Sequence, residues 1–278
     1  MLPFGFMASM SLAELARLEE SRQALGISEV ATVAERIAGG AMCFDGPGSW
    51  ANLACAIGLD GPVTDDDLDR LVGFFVSRSV EPLVELCPFA DASLVTGLAR
   101  RGFTLRGFEN VLFRSLNQAD PPPEAVAAVP GLEVVEVDVR DTAQVRTFIE
   151  VSTSGCRPLD VPINESLFEL SRRVVEHPRC TSYLALVDGE PAGGGTVEVL
   201  PPLAALFGTS VLSAFRRRGA QRALIERRLT HAGASGCTVA TIQSRPGIPT
   251  KRNALRAGFS VAYTKVSLAM ESASPCAS

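Results

Sequence analysis

Between Leu203 and Leu229 the chain reads LAALFGTSVLSAFRRRGAQRALIERRL, an apolar extended run that breaks at RRRGAQ and restarts with helical spacing. That break can build an anion site. Arg216, Arg217 and Arg218 supply positive charge, and Gly219 lets the backbone approach a ligand that a Cβ would push away. The first turn of the following helix offers amide N–H groups without intrahelical partners, at the positive end of the helix dipole. A pyrophosphate placed there gains several charge-assisted hydrogen bonds. Three consecutive arginines suit a solvated face or a loose nucleic-acid contact equally well, so the flanking pattern has to decide.

That pattern alternates strands and helices. Upstream, residues 132–139 alternate as a strand, and residues 141–151 have helical spacing behind an Asp N-cap. Residues 165–176 form a second helical stretch, and residues 181–187 and 192–200 flank Asp188-Gly189, a hairpin signal. Downstream, residues 237–242 read as a strand and 252–257 as a helix, and Gly258-Phe259 opens a strand running to Met270. Gly193-Gly194-Gly195 precedes a strand and not a helix, so it reads as a hairpin or bulge signal. Within the helix after the loop, Leu224, Ile225, Leu229 and Ala232 share one face, while Arg228 and His231 fall near that apolar side and make the stripe imperfect.

Over residues 132–270 this order resembles the GNAT superfamily of acyl-CoA N-acyltransferases. Its phosphate loop reads Q/R-x-x-G-x-G/A, and its last helix ends in Gly-Phe before a strand. Arg216 to Gln221 matches the loop, with Gly219 at the first glycine and Gln221 where glycine or alanine is usual. The resemblance implies an α/β fold, a GNAT-like mixed central sheet flanked by helices. It implies acetyl-CoA or another short acyl-CoA as co-substrate, without a metal. Its pyrophosphate would lie at Arg216, Arg217, Arg218, Gly219, Ala220, Gln221 and Arg222, and its pantetheine arm along Val211, Leu212 and Ser213. Asn253 either orients that arm or caps the local backbone.

The segment 117–130, NQADPPPEAVAAVP, reads as a Pro-rich linker. It divides the chain into residues 1–116 and 131–278. LARRGFTL before it and LRAGFSV near the end of the second part form a weak internal repeat, which implies two related GNAT-like halves in tandem. With Gly102 and Gly258 superposed, the arginine loop falls opposite DGPVTD, with Asp66 and Asp67 next. Acids there favour a helix start but repel pyrophosphate, so the first half is expected to keep the scaffold as a degenerate copy without the cofactor site.

Direct acyl transfer requires a base for the amine and an acid for the leaving thiolate. The family often carries a glutamate on the strand before the phosphate loop, but residues 203–212 contain no acid. Glu198 on the preceding strand is the nearest candidate base, and an exposed strand glutamate explains it equally well. A base acting through a water held by Thr209 or Ser210 stays open. The family's tyrosine acid, four residues before the Gly-Phe pair, is Ala254 here. Tyr263 on the last strand can substitute if it faces the cleft, and a packed strand tyrosine is the alternative. Asp160, Asn164 and Glu165, between the first two helices of the second half, can attract a cationic amine.

A formal net charge of −5 over 278 residues, with no broad basic face, argues against a nucleic-acid partner. No run reaches membrane-spanning length, and MLPFGFMASM lacks the basic start of a signal peptide. Seven scattered cysteines fit reduced, buried thiols and a cytoplasmic location better than a disulfide framework. His177 and His231 stand without the paired ligands of a zinc site, and no G-x-S-x-G elbow is present. The reading is an N-acetyltransferase, acting as a monomer or homodimer on the primary amine of a small-molecule or peptide acceptor. The alternative is a non-catalytic acyl-CoA-binding regulatory or interaction protein.

Overall fold

The computed structural model describes residues 10–116, 129–155 and 162–270, in two compact units. The N-terminal unit takes the described residues of Ser9–Asn110 and Tyr263–Ser278, and the C-terminal unit those of Val111–Ala262. Cys156, Asp160, Cys276 and most of the expected linker lie outside the described residues.

In the N-terminal unit, α1 (Leu12–Val30) starts in a capping box, with Ser11 and Glu14 satisfying each other's backbone N–H. A hairpin of β1 (Val33–Ile37) and β2 (Gly40–Phe44) turns through Ala38 and Gly39, both at positive φ. β3 (Leu53–Cys55), α2 (Asp65–Val76), β4 (Leu83–Leu86) and α3 (Ala92–Arg100) follow, and then β5 (Phe103–Ser115), which belongs to the N-terminal unit up to Asn110 and to the C-terminal unit from Val111. Leu68, Leu71, Phe74 and Phe75 lie on the buried stripe of α2 and pack with Met42, Ala54, Val84, Leu94 and Leu98. Each of these leucine and phenylalanine side chains contributes about 1.5–3 kcal/mol of burial. Gly97 lets α3 approach α2, because a Cβ there would collide with Leu68.

In the C-terminal unit, β6 (Leu132–Glu136) leads to α4 (Thr142–Ser152), capped by Asp141, and α5 (Glu165–Val175), capped by Asn164. Then come β7 (Cys180–Val187), β8 (Glu190–Leu200), β9 (Leu203–Val211), α6 (Ala220–Ala234), β10 (Val239–Ser244), α7 (Pro249–Arg256) and β11 (Ser260–Met270). Strands lie in the order β5-β10-β9-β8-β7-β6, antiparallel except for the parallel β9–β10 pair among the registers resolved. Asp188 and Gly189, both at positive φ, close the β7–β8 hairpin. The three glycines at 193–195 belong to the interior of β8, where Cβ atoms would strike the Ser210 carbonyl, Phe148 of α4 and Arg228 of α6 in turn. They let helices on both faces lie close to the strand.

The two halves repeat the sequence hairpin, strand, helix, strand, helix, strand. Gly102 and Gly258 both adopt positive φ after a helix and before a strand, at 76° and 82°. The N-cap of α2 is Thr64, one position beyond the residue that the Gly-Phe superposition set opposite Gly219. The mixed α/β fold is as expected, but the last strand divides. Up to Ala262 it belongs to the C-terminal unit, and from Tyr263 to the N-terminal one. Val266, Ser267, Leu268 and Ala269 pair antiparallel with Leu86, Glu85, Val84 and Leu83, giving that unit the order β1-β2-β3-β4-β11-β5.

Candidate active site

The end of β9 shapes the site. Gly194 pairs with Ser210 and Thr196 with Phe207, so two steps along β8 match three along β9. The extra residue is a β-bulge, with Gly208 at φ 60° inside it. Just before the bulge, the parallel ladder to β10 runs from Val239↔Leu203 to Ile242↔Leu206. Beyond Leu206, β9 continues its pairing with β8, through Phe207, Ser210 and Val211. The bulge therefore turns β9 where its ladder with β10 ends, leaving backbone that an extended ligand arm can join.

A short 3-10 turn at Ser213–Phe215 carries the chain from β9 to the arginines. Arg217 takes φ 65° and Gly219 φ 84°, and Gly219 caps α6 with no side-chain bond to the first turn. The N–H groups at the start of α6 are thus left to an external acceptor. A Cβ on Gly219 would come within 3.3 Å of Val129 and 3.6 Å of Leu132, a tight contact added to a left-handed φ that strains any side chain. Arg216, Arg217 and Arg218 are exposed. Arg216 donates to the Val211 carbonyl at 3.4 Å, and Arg218 lies 3.6 Å from Asp188. Arg222 is engaged one turn along with Glu226, at 2.9 Å. Asn253 of α7 donates to the Gln221 side chain at 2.5 Å, tying α7 to the first turn of α6.

Around the bulge lies a floor of hydroxyls. Ser210, 8% exposed, sits with its Oγ 2.8 Å from that of Ser154, and Ser182 and Thr196 pair at 2.9 Å across β7 and β8. Glu198 is 3% exposed, so an exposed strand glutamate is not what the fold makes of it. Arg179 grips its Oε1 from Nε at 3.1 Å and Nη2 at 2.9 Å. Ala205 and Cys180 are its neighbours across the ladders. Asn164 spends its side chain on the Leu167 N–H, capping α5. Ala254, in the position of the family's tyrosine, is fully buried.

Tyr263 is placed elsewhere. Its hydroxyl donates to Glu20 at 2.7 Å within the N-terminal unit, and burial pushes its pKa far above the usual tyrosine range. The packed-strand alternative accounts for it: β11 has passed into the N-terminal unit by residue 263. One residue that the sequence marked only as an imperfection in the α6 stripe is Arg228, which is completely buried beside the bulge. Among the described residues no group of three or more His, Cys, Asp or Glu could hold a metal, and no helix is long and apolar enough to cross a membrane.

Residues 148–259, which span α4 to the Gly-Phe pair and so contain the bulge, the loop and α7, match the model of the Acetyltransferase (GNAT) family. Those residues are a GNAT acetyltransferase domain. No curated protein matches the chain. Among solved structures, the GNAT domain and the residues before it superpose on a GCN5-related N-acetyltransferase from Kribbella flavida. That match covers 93% of this chain and 96% of that one, at TM-score 0.70 and 17% identity. A GCN5-related N-acetyltransferase from Sphaerobacter thermophilus matches over 69% of this chain and 60% of its own, at TM-score 0.52 and 19% identity. A tandem GNAT protein from the clavulanic acid biosynthesis pathway matches over 69% and 64%, at TM-score 0.53 and 18% identity. At such identities the likenesses show the fold.

Proposed function

We propose that the chain is an acyl-CoA N-acyltransferase, transferring an acetyl or other short acyl group to a primary amine through its C-terminal unit. The observation that carries the reading is the uncapped, left-handed glycine start of α6 at the end of a bulged strand. The acyl-CoA pyrophosphate accepts from the amides of Gly219, Ala220 and Gln221, with Arg216 and Arg217 as counter-charges and Arg218 near them. The pantetheine arm runs along Val211, Leu212 and Ser213, beside the point where β9 leaves β10. Asn253 holds Gln221 in position for that contact.

Acyl-CoA supplies the activated thioester. Glu198 attracts the cationic amine and takes its proton, directly or through water, while Arg179 keeps the carboxylate oriented. The neutral amine attacks the thioester carbonyl, the C–S bond breaks as the amide forms, and the Ser154–Ser210 hydroxyl pair relays the proton released from nitrogen to the departing thiolate. Asn164 and Glu165 line the approach from the start of α5. The N-terminal unit carries no equivalent cradle, because Thr64 and Asp67 cap α2 reciprocally and Asp65 pairs with Arg100 and Arg101. A degenerate, non-binding copy follows. The free thiols at Cys43, Cys55, Cys87, Cys180 and Cys237 suit a reducing cytoplasm, and the protein acts there as a monomer or homodimer.

A second reading, acyl-CoA binding without turnover, is favoured by Ala254 and by the engagement of Tyr263 with Glu20. One experiment tests both. Purified protein is incubated with acetyl-CoA and a panel of amines while CoA thiol is followed. Acceptor-dependent thiol release supports the transferase, CoA binding without release supports the sensor, and neither binding nor release overturns both.

A further inference from the structure

Arg228 is the largest fully buried side chain in the C-terminal unit, at 0% exposure, and among the described residues no carboxylate pairs with it. Its guanidinium is held by backbone carbonyls. Nε donates to Leu224 one turn back on α6 at 2.9 Å, and Nη1 donates to Thr196 at 3.0 Å and to Phe207 at 3.2 Å. Thr196 and Phe207 face each other across β8 and β9 at the edge of the bulge. The guanidinium has room because Gly195 lies beneath it: a Cβ there would sit 2.9 Å from both Cζ and Nη1. A bulge disrupts ladder pairing, and a buried cation without an anion is costly unless dipoles surround it. Here each feature answers the other, since the carbonyls at the bulge solvate the cation and the cation occupies them.

We propose that Arg228 is a positioning residue for the acyl-CoA site: its guanidinium fixes the β9 bulge and thereby sets where β9 turns from β10. The inference rests on the reading that acyl-CoA binds along the end of β9. It adds a side chain, remote from the phosphate loop, that acts on the cofactor through the strand. Arg228→Met removes the donors at similar length, and Arg228→Lys retains charge but cannot bond both strands and α6 at once. Gly195→Ala displaces the guanidinium while leaving Arg228 in place.

The test measures CoA affinity by calorimetry and amide hydrogen exchange along 203–211 in these folded variants. Arg228→Met and Gly195→Ala are expected to weaken CoA by about tenfold or more. They should speed exchange at 207–211 and leave exchange in the N-terminal unit unchanged, with Arg228→Lys intermediate in both. A lower melting temperature with wild-type CoA affinity and wild-type exchange in β9 would make Arg228 a packing residue and overturn the proposal. If the wild-type chain binds no CoA, the functional reading fails, and the exchange data still decide whether Arg228 holds the bulge.

Discussion

Lys265 Nζ lies 2.7 Å from Glu85 Oε2, joining the last strand of the chain to β4 through an ion pair whose lysine is 1% exposed. The same ammonium reaches Gln23 at 2.5 Å and Glu20 at 3.5 Å, and Tyr263 donates to Glu20. β11 is therefore held in the N-terminal unit by side chains as well as by its ladder.

Lys265→Met should destabilise the protein by about 3–5 kcal/mol, because two desolvated carboxylates lose their cation. Burial already raises the Glu20 pKa above its ordinary 4.5, and losing Lys265 raises it further. A carboxyl with a raised folded pKa keeps its stabilising contribution below 4.5 and loses it as pH rises through the folded value. Urea midpoints for variant and wild type should thus lie closer together at mildly acidic pH than at alkaline pH. A gap independent of pH would contradict the network.

Both tyrosines should resist ionisation. Burial, and then Glu136, push Tyr183 up to about 12 from an ordinary 10.0, and Tyr263 is raised as well. Unfolded chain loses these protons first, so stability should fall as pH climbs from 10.0 toward 12. Near-ultraviolet absorbance should show no tyrosinate at pH 10.0, where a free tyrosine is half ionised. An early tyrosinate signal from folded protein counts against this burial.

Gly219→Glu combines a strained φ of 84° with bulk against Val129 and a negative charge in the proposed cradle. The backbone strain costs on the order of 1–3 kcal/mol, and CoA affinity should drop roughly a hundredfold or more. Calorimetric titration of the folded variant checks it. Unchanged affinity would remove the phosphate-loop assignment.

One CoA should bind per chain. Changing Asp65, Asp66 and Asp67 together to Asn should leave that stoichiometry alone while costing about 1 kcal/mol of stability, as the α2 capping box is lost. Equilibrium dialysis that finds two sites in either protein contradicts a non-binding N-terminal unit.

Glu198→Gln keeps the shape and removes the charge that Arg179 holds. If Glu198 is the base, kcat should fall about a hundredfold or more, with CoA affinity retained. Equal kcat would leave Glu198 as a buried structural partner of Arg179.

Local chemistry explains what could be read in the chain. Asp141 caps α4, Asp188-Gly189 turns the β7–β8 hairpin, and Gly219 starts α6 in the left-handed region. Each is a signal confined to a few neighbouring residues. Gly193-Gly194-Gly195 was legible as irregularity, but its use, making room for Phe148 and Arg228 on opposite faces, needed both helices in place. The α1 residues Glu20 and Gln23 look like solvated helix positions until Lys265 arrives 242 or more residues later.

The sequence by itself determined the order of strands and helices over residues 132–270, the turn at Asp188-Gly189 and the glycine start of α6, because backbone conformation and capping depend on adjacent residues. Only the tertiary structure decided that Tyr263 leaves the candidate site for Glu20, that Glu198 is buried against Arg179, and that Arg228 braces the bulge. A charge does not carry its own partner in the local pattern. Whether it is solvated, paired or buried is set by segments that meet only when the chain folds.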